Sequence, residues 1–163
     1  MGRTTDLRRE VKQRFWPLVR AQGFEPDETE APAVVTFRHH NDRATFVFDI
    51  QWSKWGDPRF VVNFGTCPAD GFEFRGQQID RHSVLAGWLT YIGQAGRLQP
   101  RRGSSTRAWF RQDYGFFERM VTGRRLKTAS AVVDELMRLF PEVSDYWSSG
   151  RVGKHLHVIS RTR

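Results

Sequence analysis

From Ala44 to Trp52 the even positions hold Ala44, Phe46, Phe48, Ile50 and Trp52, while the odd positions hold Thr45, Val47, Asp49 and Gln51. That alternation predicts a strand with one apolar face and one polar face. From Arg59 to Gly65 the even positions are apolar again, with Phe60, Val62 and Phe64, and Asn63 falls on the polar side. The two apolar sets share a face only if paired residue numbers sum to an even number, as with Phe48 opposite Phe64 and Asp49 opposite Asn63. The connection is expected over Ser53 to Asp57, where Gly56 and Pro58 supply the turn chemistry. Asn41-Asp42 predicts a tight turn into a preceding strand, since both side chains tolerate positive φ. Centring a hairpin there sets His39 opposite Ala44, Phe37 opposite Phe46 and Val35 opposite Phe48.

Helical spacing marks the two flanks of this meander. Thr5 or Asp6 is suited to cap a first helix running to about Gln22, with Leu7, Val11, Phe15, Leu18 and Gln22 along one stripe. Pro17 predicts a kink near its middle, and Gly23 followed by Phe24 reads as the C-terminal stop. Ser130 to Phe140 is the other strong helix, capped by Thr128 or Ser130 and ended by Pro141, with Val132, Val133, Leu136 and Leu139 on one face. Pro141 is expected to begin a short turn carrying Val143 and Trp147. Between the flanks the pattern predicts a short strand at Phe72 to Arg75, a helix at His82 to Ala95, a strand at Thr106 to Gln112 and a short helix at Tyr114 to Val121. Leu156 and Val158 alternate as in an edge strand.

The order RFWPLVRAQGF, a strand containing FR, then IQWSKW and FVVNFG resembles an uncharacterised bacterial family, the domain of unknown function 4304. The matching positions are Pro17, Gly23, Phe24, Phe37, Arg38, Gln51, Ser53, Lys54, Trp55, Asn63 and Gly65, followed by Ile92-Gly93 and Trp109-Phe110. The segment Phe15 to Gly65 carries the resemblance. In the second half Tyr91 stands where the family pattern has an Arg before Ile-Gly. The resemblance implies a bacterial α+β domain and a role for the turn at Ser53-Lys54-Trp55. It carries no activity.

With 163 residues the chain has the length of one domain with a substantial core, and the 13% aromatic content fills such a core with rings. The mean hydropathy of −0.59 and the lack of any long apolar run leave no membrane-spanning helix to expect. No apolar signal stretch stands at the start, and the one cysteine, Cys67, has no internal partner, so a reducing cytoplasmic setting is expected. The formal net charge is +8, carried by 22 Arg and 4 Lys. Arg97 to Arg111 holds five Arg and no acid, whereas Phe24 to Glu30 is acidic. A patchy basic surface attracts polyanions, while an arginine excess also follows from a GC-rich coding sequence.

Phosphate-loop, dinucleotide, nucleophile-elbow and zinc-protease motifs are all absent from the sequence. His155 and His157 stand two apart as strand neighbours, but nothing supplies a third ligand, and no metal or cofactor is expected. Cys67 near His82 has the elements of a thiol nucleophile, and equally those of a small core residue. Two constellations remain. Asp49, Gln51 and Asn63 share the polar strand face near Lys54 and Trp55, which together suit a small polar or anionic ligand, with Asp49 as acid or base in a catalytic version. The plainer reading is a solvated sheet face. Arg101, Arg102 and Arg107, with Arg124, Arg125 and Lys127, form an anion-binding set beside Trp109 and Phe110.

The expectation is an α+β domain spanning residues 1–163: an antiparallel meander sheet of three to five strands, with the N-terminal and C-terminal helices packed on one face. The leading function is a non-catalytic binding or accessory protein whose basic surface contacts nucleic acid or an acidic protein. A small enzyme or ligand-binding protein using the face around Asp49 and Trp55 is the alternative. An immunity or antitoxin protein comes third, disfavoured by the positive charge.

Overall fold

The computed structural model describes residues 2–27, 33–101, 108–114, 120–121, 123 and 126–159. The expected hairpin is its centre: β3 (Ala44–Trp52) pairs antiparallel with β4 (Arg59–Pro68), Phe48 opposite Phe64 and Asp49 opposite Asn63. Around it the sheet grows to seven strands among the described residues, against the three to five expected. Its order is β1 (Glu25–Pro26), β2 (Val34–His40), β3, β4, β7 (Ala95–Leu98) and β9 (Leu156–Ile159), and β8 (Phe110–Arg111) also pairs with β4. A separate small hairpin joins β5 (Phe72–Phe74) to β6 (Gln77–Ile79).

The β2–β3 register differs from expectation by two residues. Val35 faces Ile50, Phe37 faces Phe48 and His39 faces Phe46. Asn41 is the cause, because its side-chain oxygen accepts from the amides of both Arg43 and Ala44 and widens the loop. A shift of two preserves facing, so the apolar side stays apolar.

Helices cover that apolar side. The first runs as α1 (Arg3–Glu10), a π-helical segment (Val11–Phe15) and α2 (Trp16–Ala21), with Gly2 rather than Thr5 or Asp6 at the N-cap position. Pro17 has no N–H and its ring crowds the carbonyl one turn earlier, and the wider π turn sits where that conflict falls. The wider turn also changes the buried stripe to Leu7, Val11, Phe15 and Val19, spaced four apart, and leaves Gln22 exposed. Gly23 closes the helix with φ +87, and the Phe24 amide donates back to the Val19 carbonyl. On the same side lie α3 (Ala129–Leu139), capped by the Thr128 hydroxyl, and α4 (Pro141–Ser149), a full helix where a short turn was expected. Phe48 stands at the centre of this core, with the rings of Phe15, Phe24, Phe37 and Phe140 at 4.6 to 6.0 Å.

The opposite face is covered too. Residues 80–94 cross it, and Val84, Ala86 and Leu89 pack on Val47, Cys67 and Ala95. The helix expected over His82 to Ala95 is a 3₁₀ helix (Ala86–Ile92) that stops at Gly93, φ +68, and gives way to β7. A second glycine at Gly87 and the short run between stops leave no room for a regular α-helix. The expected strand at Thr106 to Gln112 is described only as Phe110–Arg111, and most of the expected helix at Tyr114 to Val121 lies outside the described residues. No helix among the described residues is long and apolar enough to cross a membrane.

Candidate ligand-binding cleft

Strand pairing lines up one polar residue from each of five strands. Thr36 faces Asp49, Asp49 faces Asn63, Asn63 faces Arg97 and Arg97 faces His157. Directly opposed side chains on one face approach closely enough to interact. The middle of this row is a hydrogen-bonded chain. The Asn63 amide nitrogen donates to Asp49 Oδ1 at 2.7 Å and approaches Gln51 Oε1 at 3.4 Å, while Arg97 Nε donates to Asn63 Oδ1 at 2.8 Å. Asn63 is therefore fixed from both sides, donor toward the acid and acceptor toward the cation.

Asp49 is not on a wet face as the plain alternation suggests: it is 4% exposed. The 3₁₀ helix covers it, and the backbone amide of Ala86 bonds the carboxylate. Burial pushes this carboxyl up to about 6, against the opposing pull of Asn63, Arg97 and the Ala86 amide. An acid held at that value changes charge close to neutral pH.

Beside the row a cleft of about 540 Å³ opens between the 3₁₀ helix and strands β7 and β9. Its polar lining is Gln51, Asn63, Thr90, Arg97, Gln99 and His157, and the small residues Ala86, Gly87, Ala95 and Gly96 leave the space. Three carboxamides, a hydroxyl, an imidazole and one guanidinium converge there. Such a set binds a polar molecule through both donors and acceptors, with Arg97 for an anionic group. Asp49 does not line the cleft; Asn63 connects it to the lining.

Of the residues expected at this face, Gln51 and Asn63 line the cleft and Asp49 backs it, but Lys54 and Trp55 sit on the β3–β4 turn and are not part of its wall. Trp55 is 75% exposed, with Lys54 Nζ 4.8 Å above its ring. Of the expected anion-binding set, only Arg101 and Lys127 are among the described residues. Arg101 donates to the Tyr114 hydroxyl, Lys127 pairs with Glu135 at 2.7 Å, and Arg102, Arg107, Arg124 and Arg125 lie outside the described residues. Arg97, Thr90 and Gln99 were not singled out from the sequence, and His157 was weighed there only as a metal ligand together with His155. The alternation of Ala95, Arg97 and Gln99 was the available signal, hidden by the helix expected to end at Ala95.

The remaining candidates separate. Cys67 is fully buried and burial raises its thiol, so it serves as a core residue. His155 is held by Glu142 through its ring and its amide, while His157 lines the cleft. His40 bonds Thr45 and packs against His82 with ring centroids 4.6 Å apart. No group of three or more metal-ligating side chains occurs among the described residues. No family model, curated protein or solved structure matches the chain.

Proposed function

We propose that the chain is a small-molecule-binding protein whose cleft takes a compact polar ligand bearing a carboxylate or phosphate. The observation that supports this reading is the fixed Asp49–Asn63–Arg97 chain beside an open cleft. Arg97 spends its Nε on Asn63, which orients the guanidinium before any ligand arrives and lowers the cost of ordering it. Gln51, Gln99 and Thr90 surround it with groups that recognise hydroxyls and amides. Binding is favoured over catalysis because the one acid with a raised value stands behind Asn63 rather than in the lining.

The test is a titration of the ¹⁵N-labelled protein with inorganic phosphate, with succinate and with glucose, following the side-chain resonances of Arg97, Asn63 and Gln99. The anions are expected to shift these signals saturably, and Arg97→Met to abolish the response while the fold stays intact. Absence of any saturable shift with either anion overturns the proposal.

A further inference from the structure

At the end of the sheet that holds the β3–β4 turn, aromatic rings and cations from several elements come together. The Thr4 hydroxyl donates to the Gly56 carbonyl and ties α1 to the turn. Arg8 of α1 lies 4.8 Å over the Trp52 ring, and Lys54 4.8 Å over the Trp55 ring. On the other side Arg59 faces Arg111 across β4 and β8, with Arg59 4.9 Å over Trp109 and Arg111 4.6 Å over Tyr114. The Gln112 amide donates to the Pro58 carbonyl and joins this side to the same turn. These residues are distinct from those lining the cleft.

We infer that this end of the sheet is a binding platform for single-stranded nucleic acid, with Trp55 as the base-stacking ring. A cation held over a ring face by the ring's quadrupole keeps its positive charge, which attracts phosphate oxygens. Trp55, at 75% exposure, is a large flat surface presented to solvent by a turn that Thr4 and the Ser53–Asp57 hydrogen bond hold in place. Asp57 neutralises Arg59 at 2.8 Å, whereas Arg8 and Lys54 have no carboxylate partner among the described residues. The surface therefore carries positive charge next to an open ring, a combination that complements a phosphodiester chain with unstacked bases. Duplex is disfavoured, because an indole stacks only on a base already splayed out, and the projecting element is a turn rather than a helix able to enter a groove. The inference goes beyond the proposed function and uses none of its residues, so either stands if the other fails.

Fluorescence anisotropy with labelled oligothymidylate of about 15 nucleotides tests it, alongside the matching duplex and labelled polyglutamate. Expected is binding at about 50 mM salt that weakens steeply by about 200 mM, with the single strand preferred over duplex and over polyglutamate. Trp55→Ala, on an exposed turn, is expected to lower affinity roughly tenfold, and Arg8→Gln with Lys54→Gln to flatten the salt dependence. Equal binding by Trp55→Ala, preference for duplex or polyglutamate, or no binding at low salt would each overturn the inference.

Discussion

Asp49 and Asn63 face each other across β3 and β4, and the Asn63 amide donates to the carboxylate at 2.7 Å. This pair lets the sheet keep an acid almost out of water. Asn63 supplies a donor without adding charge, and Arg97 lends its charge through the other end of the same amide. The carboxyl still stands at about 6, so burial outweighs both partners.

Stability should follow from that value with a definite sign. The folded-state value of about 6 lies above the unfolded one, so the folded protein holds the proton more tightly. The stability this contributes is complete below the unfolded value and is lost as pH rises toward 6, amounting to about 3 kcal/mol at most. Asp49→Asn removes the titration. Urea denaturation between about pH 4 and pH 8 should show the difference between variant and parent growing in the variant's favour up to about pH 6 and levelling off above it. Parallel curves for the two proteins would contradict the burial account.

The facing of these two residues was legible in the sequence because a strand's side chains have period two, and the parity of five even-numbered apolar residues in β3 (Ala44, Phe46, Phe48, Ile50, Trp52) and three in β4 (Phe60, Val62, Phe64) admits only registers that pair even with even. The exact partner of Phe37 was not legible, since it depended on Asn41 bonding two amides in a loop. Strand β7 was missed for another reason. Its short alternation was overrun by the helix expected to end at Ala95, and Gly96, which weakens any strand signal, is there because a Cβ would meet the Phe64 ring at 2.5 Å. Without β7 and β9, Arg97 and His157 have no reason to be read as neighbours of Asn63. Half of the site was therefore visible locally, and the other half exists only through pairings distant in sequence.

Arg38 fastens the cover over Asp49. It is 8% exposed, and its Nε and Nη2 donate to the Val84 carbonyl at 3.0 and 2.8 Å, with Asp27 as its counter-ion. Arg38→Met keeps the aliphatic bulk but leaves that carbonyl and Asp27 without their donor. A loss of about 2 to 4 kcal/mol is expected, together with faster hydrogen exchange at residues 84–92. Unchanged exchange in that segment would mean that apolar packing alone holds the cover.

Gly65 sets how closely the cover approaches. A Cβ there would lie 2.6 Å from the Gln94 carbonyl oxygen and 2.6 Å from Leu89 Cδ1, and the first of these is backbone that cannot swing aside. Gly65→Ala is expected to cost about 1 to 3 kcal/mol in thermal unfolding. Gly87→Ala meets nothing within 4 Å and should stay within about 0.5 kcal/mol of the parent. Similar losses for both would show that glycine's flexibility, rather than its size, matters at these positions.

Replacing Asn63 by Asp tests the chain of donors directly. The variant is nearly the same size and keeps an acceptor for Arg97, but the Nδ2 donor that satisfied Asp49 becomes a second oxygen, 2.7 Å from the first. Two carboxylates at that separation share one proton, which restores a donor between them and raises the upper value of the pair. Near pH 5 the shared proton stands in for the lost amide, and the variant should approach the parent's stability. As pH rises the proton leaves, the buried Asp49 charge faces a half-buried one with one guanidinium nearby, and about 2 to 4 kcal/mol should be lost by pH 8. Asn63→Ala removes the donor at every pH, so its loss should vary far less across the same range. Denaturation of both variants at the two pH values separates the cases: a pH-independent deficit in Asn63→Asp would mean that the Asp49 carboxylate does not depend on Asn63 for its donor.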